Sequence, residues 1–541
     1  MSENIWKIIS YTKKKNNNWL LNALAFNRGL TDNKKLQNFL NPTKDQILEV
    51  KISGLENGIK RIIKAMEKGQ KMVVYSDYDA DGICATAIMW ETLYDLGGDV
   101  LPYVPHRIKE GYGLSKEAIN SLAEKKVKLI ITVDHGVTAV DQVKFAKQLG
   151  VEVVITDHHV LPKILPKSAA LVHTTDLCGA GVSWRVCYEL VKKLKPVYMN
   201  DLFGKLELAA LATIADMVPL IGANRAIVKL GLEKLISTKR PGIKALTKSA
   251  GINNKLGTYE ISHILAPRIN AMGRIEHGLD SLRLLCAKSD IQAEKLAILL
   301  AKTNQRRQQL TAKAVTHAMS LVPQEQTIGV VFHHEWHEGI IGLVAARLVD
   351  AFNKPMIVIS KGDVFSKGSA RSVAGFNIVE AIRASSEFLV DGGGHPMAAG
   401  FSIKTENIEI FSKKIKEYSE NRLADYAKDI QINIECILDK KEISIETLDI
   451  VKKFEPYGVK NPQPIFLTRR MLIEDLRVVG TDGSHLKLQL DGFDAIGFNL
   501  GGKKHELRPG YLLDVIYTLE DDHYNGKGKI QLKIKDLKIA E

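Results

Sequence analysis

Met72-Val73-Val74-Tyr75-Ser76-Asp77-Tyr78-Asp79-Ala80-Asp81-Gly82 is the stretch that decides the fold class. Met72 to Tyr75 is a short apolar run of strand length, and an acidic, glycine-containing loop follows it at once. The same order recurs twice downstream. Leu129-Ile130-Ile131-Thr132-Val133 ends at Asp134-His135-Gly136, and the run from Val151 to Thr156 ends at Asp157-His158-His159. Stretches of helical length separate these runs. Strands that alternate with helices predict an α/β fold built on a parallel sheet. Ligands of such sheets gather beyond the carboxyl ends of the strands, where these polar clusters fall. A fourth cluster, Ala212-Thr213-Ile214-Ala215-Asp216, adds another carboxylate.

Asp77, Asp79 and Asp81 lie within five residues and repel one another unless cations neutralise them. A mixed Asp/His ligand set suits Mn²⁺ well and Mg²⁺ less well. It does not suit a structural zinc site, which normally uses Cys. Two ions about 3.5–4 Å apart can activate a hydroxide nucleophile and brace both oxygens of an in-line phosphoryl displacement. A lone Asp-x-Asp is usually a solvated turn, and a lone His-His is usually surface or core filling. Four clusters in order, three of them directly behind predicted strands, point to a metal centre.

The rest of the chain sets the context. Its 541 residues are too many for one core. Lys plus Arg number 75 against 62 Asp plus Glu, a net charge of +13 that favours a polyanionic partner. The five cysteines are scattered with no Cys-x-x-Cys pair, so reduced thiols and a cytoplasmic location are expected. The start lacks the apolar core of a signal peptide, and no apolar run of about 18 residues suggests a membrane span.

Residues 1–65 read as a polar, helical lead-in, with Lys13-Lys14-Lys15-Asn16-Asn17-Asn18 a solvated turn. Residues 66–279 carry the catalytic pattern, and 280–321 show helical periodicity without Pro or Gly, expected as one connecting helix. Residues 322–428 form a second, smaller α/β block, with strands near 328–332 and 356–359 and a Gly-rich segment ending at His395. Residues 429–541 contain short alternating runs that predict a small antiparallel barrel or sandwich. Lys529, Lys533, Lys535 and Lys538 lie along its final strand, and Tyr517 and Tyr524 are candidates for base stacking.

Asp77-Tyr-Asp-Ala-Asp-Gly82, Val133-Asp-His-Gly136, Asp157-His-His159 and Ala215-Asp216 resemble the ordered motifs of DHH phosphoesterases. The resemblance implies Asp77, Asp79, Asp134, His158 and Asp216 as metal ligands, with Asp134 and His159 at the chemistry and His159 beside the scissile phosphate. Asp81 and Asp157 would orient ligands and loop from behind.

Further segments resemble the RecJ-type branch. Val104-Pro-His-Arg107, with Glu110-Gly-Tyr-Gly-Leu114, is similar to a segment carrying a phosphate-contacting arginine. Pro267-Arg-Ile-Asn270-Ala-Met-Gly-Arg274 is similar to an Asn-Ala-x-Gly-Arg motif. Trp336-His-Glu-Gly-Ile-Ile-Gly342, Gly368-Ser369-Ala-Arg371-Ser372 and Gly392-Gly-Gly-His395 resemble the accessory DHHA1 substrate-binding domain. Phe454-Glu-Pro-Tyr-Gly458 and Asn461-Pro-Gln-Pro-Ile-Phe466 resemble the approach to an OB domain. The resemblance thus implies Arg107, Asn270, Arg274, Ser369, Arg371, Ser372 and His395 as substrate-binding residues. Arginine forks suit phosphate oxygens. Two departures stand out: His135, where many relatives have Asn, and Arg185, where the usual ending has Lys. Neither receives a role.

The function so implied is a 5′→3′ exonuclease on single-stranded DNA, using two divalent ions, Mn²⁺ or Mg²⁺, in DNA repair and recombination. Its partners would include a single-strand-binding protein and a helicase. The rivals are an oligoribonuclease, a cyclic-dinucleotide phosphodiesterase or a pyrophosphatase, which are generally shorter and lack the barrel. A non-catalytic Cdc45-type scaffold is the other class, and it has lost metal ligands that this chain retains.

Overall fold

The computed structural model describes residues 4–9, 18–111, 113–252, 256–323, 326–423, 431–480, 483–522 and 529–540. Lys13 to Asn17, Tyr112 and Tyr524, singled out above, lie outside them.

The catalytic half is built on five parallel strands in the order Val100–Tyr103, Met72–Ser76, Leu129–Val133, Glu152–Asp157, Ala170–His173. Met72–Ser76 and Leu129–Val133 are buried at every position, because helices cover both faces of the sheet. Leu55–Glu67, Ala80–Asp95, Gly179–Leu194 and Leu206–Ala215 form the larger core on one face. Lys116–Glu124 and Val140–Gln148 cover the other with Ile119, Leu122 and Val143. The two edge strands were not evident in the sequence: each has four residues, and one carries Pro102, which an edge tolerates.

The stretch expected as one helix over 280–321 is two. Leu279–Leu285 packs on the catalytic core, and the long helix Asp290–Leu321 begins after a turn. Ser289, extended at φ −119° and ψ 135°, takes the N-cap position and breaks the run without Pro or Gly.

Beyond it a five-stranded sheet runs Leu389–His395, Ala398–Lys404, Phe365–Arg371, Met356–Ser360, Gly329–His333, with only the last pair parallel. Ser369 and Arg371 therefore lie on a strand. Ser366, Gly368 and Ala370 face inward, and the alternation turns Ser369 and Arg371 the other way.

The C-terminal strands Phe466–Val479, His485–Leu490, Phe493–Gly497, Leu512–Asp521 and Ile530–Ile539 close into a barrel, because the first pairs with both the second and the fourth. The third pairs in parallel with the fifth, so the barrel is not wholly antiparallel; the connectivity is that of an OB fold. Tyr517 corrects an expectation. It is fully buried, and its hydroxyl shares a 2.7 Å hydrogen bond with Thr468, so it offers no face to a base.

The helical lead-in also needs correction. Ile5–Ile8 is a strand, paired in parallel with Gln431–Ile434. Helices Trp19–Asn27 and Asn33–Leu40 place Leu20, Leu24 and Phe39 in the core of the barrel unit, while Leu55–Glu67 belongs to the catalytic core. Buried Arg225 ties these parts together. It donates to the carbonyls of Phe39 (2.6 Å), Pro456 (3.1 Å) and Glu455 (2.7 Å). The five cysteines are free, and no helix among the described residues is long and apolar enough to cross a membrane.

Candidate active site

The acidic loop is held open by its own backbone. Asp79 is the N-cap of Ala80–Asp95, and its side chain accepts the N–H groups of Asp81 (2.9 Å) and Gly82 (3.1 Å). A Cβ on Gly82 would fall 2.7 Å from the Asp77 Cβ, so only glycine lets the helix start this close to the strand end. Asp81 is tied to the neighbouring helix. Its two oxygens accept the N–H groups of Gly179 (2.6 Å) and Ala180 (2.7 Å), capping the helix Gly179–Leu194 whose own N-cap, Cys178, provides no side-chain bond. A Cβ on Gly179 would fall 2.5 Å from that of Asp134.

Asp134 follows its strand in the left-handed region at φ 67°, which Asp tolerates better than most residues. Asp157 accepts the Val137 N–H (2.9 Å) on one oxygen. On the other it accepts the His159 Nδ1–H (2.8 Å) and the backbone N–H groups of His158 (2.7 Å) and His159 (3.1 Å). That leaves His158 to face the carboxylates. Its Nε2 lies 3.1 Å from Asp134, 3.7 Å from Asp216 and 3.8 Å from Asp81. Oxygens of Asp77, Asp79 and Asp134 lie within 4.8 Å of one another, and so do the ligand atoms of Asp134, His158 and His159, and of Asp81, His158 and Asp216.

Burial, then mutual repulsion, pushes Asp77 and Asp134 well above the usual carboxylate range. The same causes push Asp216 up to about 8 and Asp81 to about 6. Burial and the neighbouring His159 push His158 down to about 4, so it is neutral and has a lone pair to give. One Asp134 oxygen is buried without a hydrogen bond, although His158 is near. Crowded, buried carboxylates beside a neutral imidazole fit divalent cations.

Across the cleft stands a wall of guanidinium groups. Arg274, on helix Ala266–Ile275, is lowered to about 10 by burial and then by Arg107 and Arg307. Among the described residues its one hydrogen bond goes to the Gly339 carbonyl, at 3.4 Å. Arg107 stacks over the Tyr78 ring at 4.9 Å. Burial lowers Arg371 as well. A Cβ on Gly342 would lie 3.0 Å from Ser369 Oγ and 3.5 Å from an Arg371 nitrogen, so the first turn of Ile341–Phe352 abuts both. Among the described residues, Arg107, Arg274, Arg307 and Arg371 make no ion pair with a carboxylate.

Other expected substrate residues have structural partners. Asn270 accepts the Ala80 N–H at 2.7 Å, fixing the acidic loop, and the Ser372 hydroxyl donates to the Phe376 carbonyl at 2.6 Å. His395 reaches the cleft, its ring parallel to His159 at 6.4 Å. His135 is buried and bonded to the Tyr75 carbonyl at 3.1 Å, and Arg185 donates to the Leu48 carbonyl at 3.1 Å; both sit in the core. Sequence reasoning missed Arg307, which comes from the connecting helix and whose cleft partners lie in other segments.

Residues 71–215 match the model of the DHH family, N-terminal domain, 324–421 the DHHA1 domain, and 434–536 the RecJ OB domain. A single-stranded-DNA-specific exonuclease RecJ from Bacillus subtilis is 35% identical over 99% of this chain and 70% of its own length. The chain belongs to the RecJ family. The RecJ exonuclease of Thermus thermophilus is 32% identical over 91% of this chain and 72% of its own. The crystal structure of Thermus thermophilus RecJ in complex with Mn²⁺ matches with a TM-score of 0.86 at 28% identity, covering 99% of this chain and 80% of that one. Its Mg²⁺ complex matches at 0.80, with 27% identity over 99% and 79%. The RecJ architecture of parallel-sheet domain, smaller α/β domain and OB-type barrel thus runs through the chain.

Proposed function

We infer that the chain is a metal-dependent exonuclease that degrades single-stranded DNA from the 5′ end during repair and recombination. One observation carries this reading: buried carboxylates that need cations face buried guanidinium groups that need anions across a single cleft. A phosphodiester with divalent ions satisfies both. The RecJ relatives, named as single-stranded-DNA-specific exonucleases and crystallised with Mn²⁺ or Mg²⁺, support it. The RecJ OB match over 434–536 favours it over shorter DHH phosphodiesterases.

In this reading Asp77, Asp79, Asp134, His158 and Asp216 hold two divalent ions, Mn²⁺ or Mg²⁺. Bound there, the ions would supply charge neutralisation and activate the attacking water. The protein does the rest. Burial disfavours a charge on His159, but the hydrogen bond to Asp157 and its negative charge outweigh that and raise His159 to about 9. The hydrogen bond to Asp157 also fixes the His159 ring, placing an imidazole beside the phosphate as a hydrogen-bond donor to the developing negative charge. Asp81 and Asp157 position the ligands through their backbone bonds. Arg107 and Arg274 clamp the phosphates. Ser369, Arg371 and the amides opening Ile341–Phe352 receive the terminal 5′ phosphate. The barrel holds the incoming strand. A single-strand-binding protein and a helicase are its partners, and the cytoplasm is its place.

The test is digestion of end-labelled single strands, DNA and RNA, with and without a 5′ phosphate, in Mn²⁺ or Mg²⁺. Release of the 5′ label first, from DNA and only with metal, is expected. Release from the 3′ end, or cleavage in chelator, would overturn the reading.

A further inference from the structure

The motif His333-His334-Glu335-Trp336-His337-Glu338 plays no part in the chemistry above, yet the fold gathers it into a second cluster of metal-binding groups. His317 lies near the end of Asp290–Leu321, His333 ends the strand Gly329–His333, and Glu335 sits in the turn behind it. One ligand atom of each falls within 4.8 Å of the others. The His317 and His333 rings meet edge to face at 4.5 Å, and the His334 ring lies 4.3 Å from that of His333. His333 Nδ1 accepts the Glu335 N–H at 3.2 Å and lies 3.9 Å from its carboxylate, so a metal bound at this nitrogen would take the place of that hydrogen bond. Trp336 forms the floor, 5.8 Å from both rings and 3% exposed.

We propose that His317, His333 and Glu335 bind a transition-metal ion of the Zn²⁺ class, separate from the catalytic cluster. Two imidazoles and one carboxylate, converging from a helix end, a strand end and a turn, form a donor set that Zn²⁺ and its neighbours favour and Mg²⁺ does not. Metal binding takes the neutral form of both imidazoles. The ion would pin the end of the connecting helix to the accessory sheet. It would also steady the turn that leads to Gly339, the carbonyl partner of Arg274. Its expected effect is on stability and strand binding, with the chemical step intact.

Trp336 is the reporter. Full-length, chelator-stripped protein is titrated with Co²⁺ while tryptophan emission is followed, with Trp336→Phe as the blank for the other tryptophans. Zn²⁺ uptake is then counted by equilibrium dialysis. Wild type should show quenching that Trp336→Phe lacks. The double variant His317→Ala, His333→Ala should lose that quenching and bind one Zn²⁺ fewer. Glu335, 71% exposed, can be changed without risk to the fold, and Glu335→Gln should weaken Co²⁺ quenching roughly tenfold or more. Unchanged quenching in Glu335→Gln, or equal Zn²⁺ uptake in a folded double variant, would overturn the proposal. If the double variant does not fold, Glu335→Gln decides alone.

Discussion

Two largely buried arginines in this chain meet opposite fates. Arg240 binds Glu91 through 2.8 and 3.0 Å contacts and Glu207 through one of 3.0 Å, and it caps the Leu285 carbonyl. Burial opposes its charge, but the Glu91 hydrogen bonds outweigh that and raise it above its usual range. Glu91 is held low by the same pair, against burial. Arg274 has no such partner, and burial and neighbouring arginines pull it down. Asp134 is the mirror case, pushed up by burial and by Asp81, Asp79 and Asp77. The first group closes its charge inside the fold and stabilises it. The second leaves charge of both signs open at one cleft, which is where ligands bind.

The largest effects should separate the two groups cleanly. Asp134→Ala should cut hydrolysis by at least roughly 10²–10³-fold, on the scale of losing a group that stabilises transition-state charge, and leave the protein folded. Glu91→Ala should cost about 3 kcal/mol of stability, because it removes two of the three carboxylate contacts of a largely buried guanidinium, and leave turnover per folded molecule near wild type. Single-strand hydrolysis and denaturant unfolding on both variants check this. Swapped results would break the comparison.

Arg274→Ala should weaken strand binding by about 1.5–3 kcal/mol with little loss of stability, as it removes a charge-assisted contact to a ligand. Arg371→Ala should lose a similar amount only for 5′-phosphorylated ends. Affinities for phosphorylated and unphosphorylated strands measure both. An unchanged phosphate preference in Arg371→Ala would remove it from the terminal-phosphate pocket.

The metal-free protein should also respond to pH. Asp216 rises from 3.8 to about 8 in the folded state, so above its unfolded value the folded state holds the extra proton. That contribution to stability is present at low pH and is lost as pH rises towards about 8. His159, raised to about 9, acts in the same direction. Below 6.5, His158 and His135, each lowered to about 4, act in the opposite one. Stability without metal should therefore fall between about pH 6.5 and 8, and saturating Mn²⁺ should flatten the slope. Chemical denaturation across that window is the check.

The smallest effect concerns the barrel. Removing 429–541 alone would bare Leu20, Leu24 and Phe39, so residues 1–41 must go with it. A chain of residues 42–428 should still cleave very short strands. It should bind long ones less tightly, with a shallower salt dependence, because fewer phosphates are neutralised. Titration of long and short strands at several salt concentrations tests this.

What was legible in the sequence had a local cause. The three central strands show as apolar runs because both sheet faces are covered, and the acidic residues show because Asp77 and Asp134 follow their strands directly and Asp157 ends its own. What was hidden depends on distant segments. Ile5–Ile8 is a strand only because Gln431–Ile434 lies beside it. Tyr517 shares the inward face of its strand with Leu513, Val515 and Leu519, and its hydroxyl finds its partner, Thr468, on a strand 49 residues away. The substrate role implied for Asn270 and Ser372 rests on motif position, and only packing shows that the Asn270 carbonyl oxygen and the Ser372 hydroxyl have backbone partners.

Without metal the carboxylate cluster is a standing cost to the fold, and bound cations relieve it. The most direct measurement compares the unfolding free energy of wild type and Asp134→Asn at neutral pH, each with and without Mn²⁺. Metal-free Asp134→Asn should be the more stable of the two, by on the order of 1 kcal/mol, and Mn²⁺ should reverse the order. A metal-free Asp134→Asn less stable than wild type, with Mn²⁺ leaving the difference unchanged, would contradict it.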